Sequence, residues 1–195
     1  SAAPITRDSI AMTFSFATPE SEEPLFKEKN IIDLAKENGY KTYWLSSQEL
    51  SGLHASKFGY IAKKSDVIKL TKGKDDKLNN LLAKALQDTG KKFIVLHLSG
   101  SHGPYSNFDD LDKKALPNSS EYDLTIHHTD RVIHDINNTL KSKLNNYLLF
   151  YTSDHGEVVD VGHGLKGARE QYLVPLMILD KSQHAMCAYV NSLVN

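Results

Sequence analysis

Apolar side chains recur along this chain at two spacings, one suited to helices and one to buried strands. Ile10 to Phe16, preceded by Asp8 and Ser9, reads as a short helix that starts near Thr6 to Asp8. Ile31, Ile32, Leu34 and Ala35 fall at helical spacing within Phe26 to Asn38, and Gly39 stops that segment. A strand is expected at Lys41 to Leu45, then a polar loop from Ser46 to Ser56 and a second exposed connection over Lys72 to Asp76. Leu78, Leu81, Leu82, Ala85 and Leu86 predict a helix over 77–88 closed by Gly90, and the apolar run Phe93 to Leu98 predicts a buried strand. The stretch from Gly100 to Ser120 is rich in Gly, Ser, Asn and Pro and reads as loop. Leu124, Val132, Ile133, Ile136 and Leu140 then mark a long amphipathic helix over about 122–144. Tyr147 to Thr152 and Tyr172 to Leu179 are two further strands, and Gln183 to Val194 reads as a closing helix.

Strands alternating with helices predict an α/β fold, a three-layer α/β/α sandwich with a mainly parallel sheet. At 195 residues the chain suits one domain. Its 40% apolar and 24% charged residues, without low-complexity tracts, exclude disordered and fibrous classes. Lys and Arg (23) nearly cancel Asp and Glu (24), so no bulk charge drives the chain toward nucleic acid. Cys187 is the single cysteine, which precludes an internal disulfide. No apolar run approaches the roughly 20 residues that span a bilayer. A strong motif follows almost directly on Ser1-Ala2-Ala3-Pro4, so the expectation is a soluble catalytic domain over 1–195, cut from a longer protein.

In a sheet of this kind, ligands sit beyond the carboxyl ends of the strands. Three clusters fall there: Gly100-Ser101-His102-Gly103-Pro104, Ser153-Asp154-His155-Gly156-Glu157 and Gly162-His163-Gly164. Each holds an imidazole, and the neighbouring glycines permit sharp turns that let side chains converge. Zinc takes imidazole nitrogen and carboxylate oxygen, and with no cysteine in the clusters a catalytic rather than thiolate type of site is expected. Asp154 and His155 form a plausible ligand pair at a strand end. Thr6 supplies a candidate hydroxyl just ahead of a helix start, where free amides and the helix dipole favour anions. Each feature has a blander reading. One Ser-His-Gly or Asp-His-Gly tripeptide is usually a turn, and one threonine before a helix is usually a cap. His97 is either a core histidine or a group that helps orient substrate, with the core reading favoured. His127, His128 and His134 are expected to be exposed or capping, and His54 and His184 to be background.

Ala3-Pro4-Ile5-Thr6-Arg7-Asp8-Ser9, Tyr43-Trp44-Leu45-Ser46-Ser47-Gln48, Leu96-His97-Leu98-Ser99-Gly100-Ser101-His102-Gly103-Pro104 and the two later histidine motifs occur in the order seen in bacterial phosphoethanolamine transferases. The chain resembles that family, in the alkaline phosphatase and sulfatase superfamily, over almost its whole length. The resemblance implies a sulfatase-like fold and zinc-dependent transfer of phosphoethanolamine from phosphatidylethanolamine to a lipopolysaccharide (core or lipid A) or other glycan acceptor, through a phospho-threonine. It implies Thr6 as nucleophile, with Thr6, Asp154 and His155 on the principal zinc. His102 and His163 would hold a second zinc or bind phosphoryl oxygens, so one or two Zn2+ ions are expected. It also implies work at the periplasmic face of the inner membrane, through a membrane-spanning region and a first strand, bearing a further glutamate ligand, that lie upstream of this sequence. No cysteine flanks the nucleophile motif, unlike lipid A-modifying members, and Trp44-Leu45-Ser46-Ser47-Gln48 looks more like the branch that decorates the core or other glycans.

Competing readings are a phosphatase or phosphodiesterase of the same superfamily, and a fragment that binds metal or a lipid head group without activity. A sulfatase would need Cys or Ser in a Cys/Ser-x-Pro-x-Arg setting, and Thr6-Arg7-Asp8-Ser9 lacks it.

Overall fold

The structure is a computed structural model that describes residues 1–71 and 74–181. Helix α1 (Thr6–Phe14) is followed by α2 (Glu23–Lys27), α3 (Ile31–Glu37), β1 (Lys41–Ser46), α4 (Ser56–Ala62) and β2 (Val67–Leu70). Then come a 3-10 turn (Asp75–Lys77), α5 (Leu78–Ala85), β3 (Lys92–His97), α6 (Asp110–Ala115) and α7 (Glu121–Lys143). The described chain ends with β4 (Leu148–Thr152), a second 3-10 turn (Glu170–Tyr172) and β5 (Leu176–Asp180).

Strands β2-β1-β3 form a parallel sheet, with Trp44 of β1 aligned to Ile68 and Val95. Alternation along β1 sends its side chains to two faces. Trp44 enters a core with Ile10, Leu25, Ile32, Phe58 and Ile61, contributed by α1, α2, α3 and α4. Tyr43 and Leu45 enter another with Leu78, Leu82, Val132, Ile136 and Leu140 of α5 and α7. Helices thus cover both faces, the α/β sandwich with a parallel sheet that the alternating pattern predicts. Burial of each such Leu or Ile contributes about 1.5–3 kcal/mol, so two cores anchored on one strand fix its register firmly. β4 and β5 pair antiparallel as a separate ladder.

Several expectations change. The helix over 26–38 is two helices, because the Asn30 side chain accepts from the amides of Ile32 and Asp33 while Asp33 reaches back to the Asn30 amide, and this capping box starts α3 afresh. α4 and β2 occupy a stretch to which the hydrophobic pattern assigns nothing. α6 lies inside the expected loop 100–120, started by a second capping box from Asp109 and Asp112. The expected exposed connection at 72–76 ends in a fully buried Asp75. The strand expected at 172–179 begins only at Leu176, since a 3-10 turn takes up Tyr172. The closing helix over 183–194 lies outside the described residues. None of the helices is long and apolar enough to cross a membrane among the described residues.

Candidate active site

Thr6 is the first residue of α1, and the cap position belongs to Ile5, whose side chain makes no capping bond. The Thr6 hydroxyl is therefore not spent on its own helix. Instead Oγ1 lies 3.2 Å from Nε2 of His155, a residue 149 positions later. Two further bonds seat this turn: the Ser9 hydroxyl donates to the Asp154 carbonyl, and the Gly164 amide donates to the Pro4 carbonyl at 3.1 Å. Gly164 has φ +73, and its Cα faces Ile5 so closely that an added Cβ would stand 3.2 Å from Ile5 Cγ2. A side chain there would push the Thr6 turn away from the loop.

His155 follows β4 directly. Its Nδ1 lies 2.8 Å from the Gly156 carbonyl, an acceptor only, so Nδ1 carries the proton and Nε2 presents a lone pair toward Thr6. Asp154 Oδ2 is 3.5 Å from the same Nε2. The Thr6 hydroxyl and the Asp154 carboxylate thus both lie beside Nε2 of His155. Donors bound to one tetrahedral ion at zinc distances lie about 3.3–3.6 Å apart, and the observed 3.2 and 3.5 Å fit that spacing. Gly156 is needed here, because an added Cβ would fall 2.2 Å from the Glu170 carbonyl oxygen and 2.6 Å from that of Leu173.

The other two imidazoles gather beside it. The rings of His155 and His163 are 4.3 Å apart and those of His102 and His163 are 5.3 Å apart. His163 Nδ1 faces Glu157 Oε2 at 3.1 Å and His102 Nδ1 faces the Gly103 carbonyl at 2.6 Å, contacts that orient the two rings. Donor atoms of His155, Glu157 and His163 all lie within 4.8 Å of one another, a second set that could hold a cation. Thr6, His102, Asp154, His155 and His163 are thus brought together. Glu157 is the member that the sequence reading left without a role, although it closes the Ser153 to Glu157 motif.

His97 sits at the end of β3 behind this group, with Trp44 and Phe58 edge-on at 5.9 and 5.1 Å. Its Nδ1 meets the Ser46 hydroxyl at 3.1 Å, and burial pulls its pKa down from 6.5 to about 4, against the opposing pull of Asp154 and Asp75. It is a neutral core histidine. His127 and His128 correct the expectation of exposed side chains: their Nδ1 atoms lie 2.7 and 2.9 Å from the buried carboxylate of Asp112. Arg131 bonds the same carboxylate at 2.7 Å and Asp109 at 3.0 Å, and together with further hydrogen bonds it holds Asp112 well below the usual range although burial opposes this. This second polar cluster ties α6 to α7. His54 and His134 are exposed, and His184 lies outside the described residues.

Comparison with known proteins agrees with this geometry. The chain is 31% identical to the Escherichia coli (strain K12) protein YhbX over 191 residues, which cover 91% of this chain and 35% of that one. It is 27% identical to the phosphoethanolamine transferase OpgE of the same organism over 207 residues, covering 92% of this chain and 38% of OpgE. It therefore spans little more than a third of the length of these curated relatives. In fold, it superposes on the zinc complex of the C-terminal periplasmic domain of Escherichia coli EptC with a TM-score of 0.82 at 20% identity, over 97% of this chain and 62% of that one. The profile of the Sulfatase family matches residues 1–193, across the Thr6 turn and the histidine loops, and the chain belongs to that family.

Proposed function

We propose that this chain carries the active site of a zinc-dependent phosphoethanolamine transferase, with Thr6 as the nucleophile. The carrying observation is the 3.2 Å approach of Thr6 Oγ1 to His155 Nε2, with Asp154 Oδ2 at 3.5 Å from that nitrogen. Relatives named phosphoethanolamine transferases and a zinc-bound solved structure of the same fold support the reading. Thr6 Oγ1, Asp154 and His155 would hold the principal zinc. Bound there, the ion lowers the pKa of the hydroxyl and neutralises phosphoryl oxygens.

Thr6 Oγ attacks the phosphorus of phosphatidylethanolamine and forms a phosphoethanolamine ester, while diacylglycerol leaves and takes up a proton. A hydroxyl of a lipopolysaccharide or other glycan then attacks the same phosphorus, and Thr6 Oγ leaves. Thr6 stands at the N-terminus of α1, where the positive end of the helix dipole favours the growing negative charge. His102 and His163, oriented through Nδ1, would hold a second zinc or bind phosphoryl oxygens. The whole protein acts at the periplasmic face of the bacterial inner membrane, where both donor and acceptor lie.

The test uses the full-length protein with head-group-labelled phosphatidylethanolamine. Mass spectrometry of the Thr6 peptide finds added phosphoethanolamine, and Thr6→Ala loses both the adduct and transfer, the latter by roughly 10⁴-fold. Unchanged transfer in Thr6→Ala refutes the assignment. Release of free phosphoethanolamine without transfer to any glycan identifies a phosphodiesterase instead.

A further inference from the structure

β3 ends at His97, and ten residues later the chain has returned to Asn107, having carried His102 into the site. The neck of this arch is closed over one carboxylate. Asp75, with no exposed surface, opens the 3-10 turn before α5. Its Oδ1 accepts from the Ser47 hydroxyl at 2.5 Å and the Ser99 amide at 2.8 Å. Its Oδ2 accepts from the Gly100 amide at 2.9 Å and Asn107 Nδ2 at 2.7 Å. Two carboxylate oxygens offer about four lone-pair sites, so the acceptor capacity is full. Asn107 Nδ2 also donates to the Gly100 carbonyl at 3.0 Å, which locks the two stems of the arch together. At the far side, Tyr105 accepts the Asp160 amide at 3.1 Å, tying the arch to the loop that carries His163.

We propose that Asp75 is a positioning residue for the reaction, the group that aims His102 toward His163 by fixing the base of the 99–107 arch. Only a carboxylate satisfies all four donors. An asparagine must turn its NH2 group toward two of them in either orientation, the Ser47 hydroxyl and Ser99 amide or the Gly100 amide and Asn107 Nδ2, and so loosens the base of the arch on one side or the other. None of these four donors carries a charge, so the contacts to Asp75 among the described residues are hydrogen bonds from neutral groups. The kinetic consequence rests on the transferase reading above; the geometric consequence does not.

Two variants test it, Asp75→Asn and Asn107→Ala, which removes the two Asn107 bonds to Asp75 and to the Gly100 carbonyl and leaves Asp75 in place. In the 195-residue chain, imidazole ¹⁵N NMR is expected to show the His102 signals shifted or broadened in both variants, with those of His155 unmoved. In the full-length protein, kcat for transfer is expected to fall on the order of 10–100-fold with donor KM unchanged, the size of effect that misplacement by about 1 Å produces. Unmoved His102 signals in Asn107→Ala overturn the proposal. So does a uniform loss of all imidazole signals together with lowered Tm in both variants, which marks a purely structural role. If the wild-type protein transfers nothing, the functional reading fails, and the imidazole spectra still decide the role of Asp75.

Discussion

Replacement of His97 by phenylalanine should remove a defined part of the acid sensitivity of the fold. His97 is buried between Trp44 and Phe58, with a folded pKa of about 4 against an ordinary 6.5. The unfolded chain therefore binds the proton more readily. The stability gained from keeping the ring neutral is fully present above pH 6.5 and is lost as pH falls from 6.5 through about 4. That gap amounts to about 3 kcal/mol in full, of which about 2 kcal/mol has gone by pH 5. His97→Phe keeps an aromatic ring in the slot. It leaves the Ser46 hydroxyl paired, because that hydroxyl also donates to the Gln48 carbonyl at 2.8 Å and accepts the Gln48 amide at 3.0 Å. Urea unfolding of both proteins at pH 7 and pH 5 gives the comparison. The wild type should lose about 2 kcal/mol more than the variant between these pH values, since carboxylate contributions are common to both. Parallel pH dependences would sink the reasoning.

Gly156→Ala forces a Cβ to within 2.2 and 2.6 Å of two backbone oxygens that cannot move aside cheaply, so a loss of about 3 kcal/mol or more is expected in denaturant unfolding. Native-like stability in that variant would show that the 170–173 segment yields. Zinc at about 100 times its Kd should raise stability by about 2.7 kcal/mol, with EDTA reversing the gain and His155→Ala abolishing it in thermal unfolding. An equal gain in His155→Ala would place the ion elsewhere.

The long segments announced themselves in the sequence because periodicity and caps agreed. In α7, apolar spacing coincides with a Ser120–Asp123 capping box, and in β3 an uninterrupted apolar run leads to a glycine loop. α4 stayed hidden because it is short and contains Gly59, which reads as a breaker. Its real reason is contact: a Cβ at Gly59 would stand 2.3 Å from the Leu50 carbonyl oxygen. Asp75 looked solvated because it follows a Lys-Gly-Lys run, and its four donors come from residues 24 or more positions away or from the distant stem at Asn107. His128 was misjudged for a similar reason, since its partner Asp112 lies on α6, a helix that the Gly- and Pro-rich composition concealed. The candidate site was the more legible part, because glycine-flanked histidines at strand ends advertise themselves. Glu157 escaped because its partner, His163, is reached only through the turn closed by the Val158–Gly162 bridge.

The bonds from Pro4 to Gly164 and from Ser9 to Asp154 also set a timetable. Residue 6 is synthesised well before residue 164, by roughly 10–30 s at ordinary synthesis rates, and its turn has no partners until then. Contacts so distant along the chain are the slowest to close. The parallel sheet and its flanking helices can therefore collapse first, and the candidate site is assembled only when these two far-separated segments meet.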